Sequence, residues 1–232
     1  MNVQGYQKLT LLDFPGRVAC TVFTGGCNLR CPFCHNASLV LTPREGENQE
    51  EEVLSYLAGR KGILEGVCIT GGEPLLQPDL SDFVKQVKNM GFSVKLDTNG
   101  SDPDALVSLL SEGGIDYIAM DIKSAPESYE KAVGRECDVE RFVRSAEIIR
   151  TSEIPHEFRT TLVKGIHELG DMEGIGKWLA GEERYFLQTF VDSGNLLGSG
   201  FEAFSHEETM DFLKAIRIYI PSAKLRGQEE GE

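Results

Sequence analysis

Six short runs rich in β-branched and aromatic residues alternate with six amphipathic segments along this chain, a rhythm that points to successive βα units and a parallel sheet. Strands are expected at 17–23, 67–70, 93–97, 117–122, 157–162 and 185–190, and helices near 49–60, 80–90, 103–112, 139–150, 171–180 and 207–218. Local chemistry bounds several of the helices. Asn48 with Glu51 reads as a capping box, Asp102 before Pro103 as an N-cap with proline at the first helical position, and Gly91 after Met90 as a stop. Leu80, Phe83, Val84, Val87 and Met90 recur at helical spacing and predict a face packed on the sheet. Six βα units fall short of a closed eight-stranded barrel. The expected fold is therefore α/β, an open partial (β/α)6 TIM-type barrel with helices outside and its site at the carboxyl ends of the strands.

The chain has 232 residues and no Pro- or Ser-rich linker, so a single domain over 1–232 is expected, with its core at about 15–191 and a C-terminal helix and tail over 205–232. The first fourteen residues hold Gly5, Lys8 and Asp13 instead of an apolar run, and no segment is apolar over the roughly 18 residues a membrane helix needs. The expectation is a cytoplasmic protein without signal peptide or membrane span. The formal net charge is -14, with acidic runs at Glu50–Glu52, at Glu182-Glu183 and in the tail from Glu229, which repels polyanions and speaks against a nucleic-acid partner.

The chemically distinctive residues fall where these strands should end. Cys27, Cys31 and Cys34 follow the first, Gly71-Gly72-Glu73-Pro74 the second, Asp97-Thr98-Asn99-Gly100 ends the third, and Asp121-Ile122-Lys123 ends the fourth. Of the six cysteines, Cys20 and Cys68 lie in apolar strands as small hydrophobes and Cys137 is incidental. The other three are spaced C-x3-C-x2-C. An electron-carrying 4Fe–4S cluster takes four thiolates, so three leave one iron open to substrate. A thioredoxin-like pair would leave Cys27 unexplained. A structural zinc would need His35, which adjoins Cys34 and is poorly placed to fill a tetrahedral corner with it. His156, His167 and His206 have no partner spacing and read as surface residues.

The cysteine spacing, with Phe33 just before the last thiol, resembles the signature of the radical S-adenosylmethionine (SAM) superfamily. Thr70-Gly71-Gly72-Glu73-Pro74 resembles that superfamily's GGE motif, in which the glycines permit close backbone approach and strand-edge carbonyls can receive the methionine ammonium. Asp97-Thr98-Asn99-Gly100 and Asp121-Ile122-Lys123 resemble the activating enzymes of glycyl-radical proteins. That resemblance implies a monovalent cation held by Asp97, Asp121 and backbone oxygens of Thr98 and Ala119, with Lys123 paired to the SAM carboxylate and Asn99 among the cofactor contacts. Arg159 resembles the family arginine that approaches SAM from across the barrel, and Gln188 is a further candidate for adenine or ribose. The opening Gln7-Lys8-Leu9-Thr10-Leu11-Leu12-Asp13-Phe14-Pro15-Gly16 is similar to activators of anaerobic ribonucleoside-triphosphate reductase.

The resemblance implies an oxidoreductase with one 4Fe–4S cluster. It would cleave SAM reductively and take a hydrogen from a backbone glycine of a partner enzyme, with reduced flavodoxin or ferredoxin as electron donor. The alternatives are an activase of pyruvate formate-lyase or another glycyl-radical enzyme, a small-molecule radical SAM enzyme such as 7-carboxy-7-deazaguanine synthase, and a non-catalytic iron–sulfur module.

Overall fold

The computed structural model describes residues 1–41 and 49–227. Cα packing divides the chain into two compact units, the first comprising Met1–Asn28, Asn36–Ala119 and Arg144–His156, the second Leu29–His35, Met120–Val143 and Glu157–Glu232.

The first unit begins with β1 (Val3–Thr10) and β2 (Ala19–Thr24), which pair antiparallel. After α1 (Ala37–Leu41) and α2 (Glu50–Ala58) come β3 (Gly66–Gly71), α3 (Leu80–Asn89), β4 (Ser93–Thr98) and α4 (Pro103–Glu112). β2, β3 and β4 are parallel neighbours, with Cys20 opposite Val67 and Cys68 opposite Lys95. β5 (Tyr117–Asp121) runs across the division of the chain. The second unit continues with α5 (Tyr129–Val133), α6 (Val139–Thr151, shared with the first unit), β6 (His156–Leu162), α7 (Leu169–Trp178), β7 (Tyr185–Thr189), α8 (His206–Arg217) and β8 (Lys224–Leu225). β6, β7 and β8 are again parallel neighbours.

All six expected strands and six expected helices are present, each within about two residues of its expected bounds. α3 buries Leu80, Phe83, Val84 and Val87, and Gly91 follows it at a φ of 94° that an L side chain rarely adopts. At the start of α4 the Asp102 carboxylate accepts the Ala105 N–H at 3.1 Å, with Pro103 in the first turn. The Asn48 capping box and the tail from Glu229 lie outside the described residues; α2 starts after Gln49, whose side chain makes no cap bond.

Two strands escape the sequence pattern. β1 carries Gln4, Gly5, Gln7 and Lys8 and two register shifts against β2, so its apolar residues do not alternate. β8 is two residues long. Among the described residues no helix is long and apolar enough to cross a membrane. Cys20 and Cys68 are fully buried as expected, and burial pushes the Cys20 thiol pKa up to about 12.

Candidate functional site

In the first unit the glycine pair is required by the neighbouring strand end. A Cβ at Gly71 would stand 2.4 Å from the Thr24 nitrogen, and one at Gly72 would stand 1.9 Å from the Gly26 carbonyl oxygen. Nothing larger than glycine can lie here without moving backbone. The Gly72 N–H donates to Thr24 O at 2.9 Å and the Glu73 N–H to Gly26 O at 2.8 Å, so the segment is stitched to the loop that leads to Cys27. The Gly71 carbonyl receives the Asn36 side-chain amide at 3.2 Å.

Glu73 is almost wholly buried, and its carboxylate is fully engaged. Oε1 accepts the Thr98 hydroxyl at 2.7 Å and the Leu75 N–H at 3.1 Å, and Oε2 accepts the Asn99 N–H at 2.7 Å. A charged acceptor bound three times ties the end of β3 to the end of β4. Asn99, placed this way, reaches Cys27: its Nδ2 lies 3.7 Å from Cys27 Sγ and 3.2 Å from Asn28 Oδ1. Asp97 ion-pairs with Lys95, a fully buried lysine two residues back on the same strand, whose ammonium also lies 5.8 Å from the centre of the Tyr117 ring.

In the second unit the cysteine loop is held by backbone. Arg30 N–H donates to Val133 O at 3.0 Å, Gly198 N–H to Pro32 O at 2.7 Å, and Cys34 N–H to Cys31 O at 3.0 Å. Gly134 (φ 72°) leaves room for the Arg30 carbonyl, which a Cβ would meet at 2.3 Å. Asp121 receives Arg159 Nε at 2.9 Å on one oxygen and Lys123 Nζ at 3.2 Å on the other. Burial works to raise the Asp121 pKa, but the Arg159 and Lys123 charges outweigh it and hold the carboxyl well below its usual range. Burial likewise opposes the Lys123 charge, yet Asp121 first, then Cys31, Tyr129 and Cys34, raise its pKa above the ordinary lysine value. Arg159 also approaches Glu157 at 3.8 Å, and Glu157 binds Arg226 at 3.0 Å. Gln188 stands opposite Thr161 on the strand beside Arg159.

His35 stacks on Phe190 with ring centres 5.4 Å apart, and its pKa is lowered by burial and by Lys123. His206 is exposed and His156 half-buried, but His167 is a correction: it is 3% exposed. Its Nδ1 accepts the Val163 N–H at 3.0 Å and its Nε2 meets the Lys123 carbonyl at 2.7 Å, so both ring nitrogens are used where the chain turns after β6. Lone-histidine spacing gives no sign of this, because both partners are backbone. Lys95, Arg226 and Ser101 were also missed. Only Lys95 left a trace, a charge on the same strand face as Asp97.

None of the six cysteines, all among the described residues, is in a disulfide. Among the described residues no three His, Cys, Asp or Glu side chains converge as a single metal ion requires. A cluster asks for something different, one thiolate per iron, so its ligands need not converge on a point. The donors suit it: soft thiolates, with an amide donor at Cys27 and a lysine charge near Cys31 and Cys34.

The sequence profile of the radical SAM superfamily matches residues 21–178. The chain is 31% identical over 195 residues to a candidate glycyl-radical enzyme activating enzyme of Methanocaldococcus jannaschii, covering 81% of this chain and 79% of that protein. It is 32% identical over 137 residues to the pyruvate formate-lyase-activating enzyme of Clostridium pasteurianum, covering 57% and 56%. Among solved structures, Streptococcus suis SuiB bound to its precursor peptide SuiA superposes with a TM-score of 0.69 at 14% identity, covering 89% of this chain and 48% of SuiB. The α/β architecture is thus the radical SAM fold. The chain belongs to the radical SAM superfamily and, within it, to the glycyl-radical-enzyme activating family. Membership implies the use of SAM and an iron–sulfur cluster.

Proposed function

We propose that this protein activates a glycyl-radical enzyme, by taking a hydrogen atom from one backbone glycine of that partner. The observation that carries the reading is the similarity to the M. jannaschii activating enzyme over about four fifths of both chains, with all three cysteines of the C-x3-C-x2-C motif present. Cys27, Cys31 and Cys34 would hold the cluster. The chemistry such a cluster supplies when bound is one-electron reduction of the SAM sulfonium, which parts sulfur from the 5′ carbon and yields methionine and a 5′-deoxyadenosyl radical.

The protein's own residues position and neutralise. Lys123 and Arg159, pinned by Asp121, present the positive charge that a SAM carboxylate needs. Gly71 and Gly72 set backbone carbonyls where an ammonium can approach, and Glu73 fixes β4 so that Asn99 keeps its place. A monovalent cation would compete with Lys95 for the Asp97 carboxylate and, in the other unit, with Lys123 and Arg159 for the Asp121 carboxylate. SAM affinity measured across potassium and sodium concentrations tests for that cation.

The partner is a glycyl-radical enzyme; anaerobic ribonucleoside-triphosphate reductase is favoured by residues 7–16, and pyruvate formate-lyase by the Clostridium relative. Anaerobically reconstituted protein, reduced with dithionite, is expected to form 5′-deoxyadenosine from SAM. It should also raise a glycyl-type doublet in the electron paramagnetic resonance (EPR) spectrum of one of these purified enzymes. Cleavage of SAM with no doublet in either, but with conversion of a deazaguanine precursor, would replace the activase reading by the small-molecule one.

A further inference from the structure

Asn99 is held in a way that a simple strand-end turn does not need. Its Oδ1 accepts the Ser101 N–H at 2.8 Å, which fixes which end of the amide is oxygen, because a flipped amide would set two donors face to face. The NH2 end is thereby aimed at Cys27 Sγ, 3.7 Å away, within reach of an N–H···S bond given sulfur's size. The second amide hydrogen goes to Asn28 Oδ1 at 3.2 Å. Asn28 in turn donates through Nδ2 to Ser101 Oγ at 2.8 Å and accepts from that hydroxyl at 3.2 Å, so the three residues close a ring through the Ser101 backbone N–H. Asn99 and Ser101 are 7% and 5% exposed, and the backbone beneath is clamped by Glu73. An amide already oriented loses little conformational freedom when it serves an acceptor.

We propose that Asn99 donates a hydrogen bond to the Cys27 thiolate and so raises the reduction potential of the cluster that this thiolate ligates, with Ser101 and Asn28 as positioning residues. The proposal rests on the reading of Cys27 as a cluster ligand. Reduction adds negative charge, part of which spreads onto the ligand sulfurs, and a donor aimed at one of them stabilises the reduced form. Screening is weak around a buried donor, so one bond counts for more than it would in water. This role differs from contact with SAM and operates without it.

The test is an EPR-monitored redox titration with dithionite, in the absence of SAM, of reconstituted wild type, Asn99→Leu and Ser101→Ala. Iron and sulfide content is measured first. Asn99→Leu is expected to keep full iron and to shift the midpoint downward by about 59 mV, a tenfold change in a one-electron equilibrium. Ser101→Ala should shift it the same way by less. In wild type labelled with ¹⁵N-asparagine the reduced cluster should show a ¹⁵N coupling that Asn99→Leu lacks. An unchanged midpoint with full iron overturns the proposal. If Asn99→Leu fails to assemble, Ser101→Ala decides: a lowered midpoint supports the donor, and an unshifted one overturns it. A wild type that takes up no iron would instead overturn the ligand assignment, and the proposal with it.

Discussion

Cys27 and the pair Cys31 and Cys34 belong to different compact units, and the polar groups supplied to each differ in kind. Cys27 meets a neutral ring of amides and a hydroxyl, Asn99, Asn28 and Ser101, backed by the buried carboxylate of Glu73. The second unit supplies ions: Lys123, whose charge acts on Cys31 and Cys34, pairs with Asp121, Arg159 with Asp121 and Glu157, and Arg226 with Glu157. A neutral network orients its members and responds weakly to pH or salt, whereas ion pairs carry charge to a ligand and can be titrated away. The first arrangement suits adjustment of a sulfur; the second suits an anionic substrate.

The largest expected effect erases the difference. Cys27→Ala or Cys34→Ala should each reduce SAM cleavage to background in an anaerobic assay for 5′-deoxyadenosine, because each removes one iron's thiolate whatever surrounds it. Turnover retained by either variant would break the ligand assignment in that unit alone. Next comes Arg159→Leu. Arg159 is 12% exposed, and its loss leaves Asp121 and Glu157 each short of a cation. Breaking a buried pair costs about 3–5 kcal/mol, and since Asp121 is itself a third exposed, about 2 kcal/mol is expected as a lowered urea midpoint. A shift below a few tenths of a kcal/mol would mean that the ion network is a surface feature.

The fold was largely legible because six βα units repeat one pattern, and packing on both sheet faces left apolar runs at Gly66–Gly71 and Tyr117–Asp121 that no other arrangement explains. β1 was illegible for the opposite reason: Gln7 and Lys8 are exposed, and pairing with β2 supplies what its side chains do not. In the candidate site, the cysteines, glycines and carboxylates carried their chemistry in residue type and spacing. The roles of His167 and Glu73 did not show, because their partners are backbone N–H and C=O groups or residues more than twenty positions away. Lys95 was hidden differently, as a cation inside a strand where an apolar residue is the ordinary expectation.

Acid sharpens the contrast between the two units. The Asp121 carboxyl titrates lower in the folded protein than in the unfolded chain, so its contribution to stability is complete above the ordinary aspartate pKa of about 3.9 and fades as pH falls from there toward the folded value. Asp121→Asn should therefore be less stable than wild type at pH 7 by about 1–2 kcal/mol, and the two denaturation midpoints should converge below about pH 4. A gap that persists at low pH would mean that Asp121 acts through shape and hydrogen bonding.

Ser101→Ala supplies the matching test in the neutral ring and the smallest effect. It removes a hydroxyl that accepts from Asn28 Nδ2 at 2.8 Å and donates to Asn28 Oδ1 at 3.2 Å, while the backbone N–H at position 101 still serves Asn99 Oδ1. A neutral hydrogen bond is worth about 1 kcal/mol, and of the two lost the one to Asn28 Oδ1 leaves an oxygen that still receives the Asn99 amide, so the cost should be about 1 kcal/mol. Unlike the Asp121→Asn gap, it should persist as pH falls below about 4, since amides and a hydroxyl do not change charge there. A Ser101→Ala deficit that instead shrinks with acid would tie the ring to the buried Glu73 carboxylate beneath it, and the polar groups of the two units would then differ in degree and not in kind.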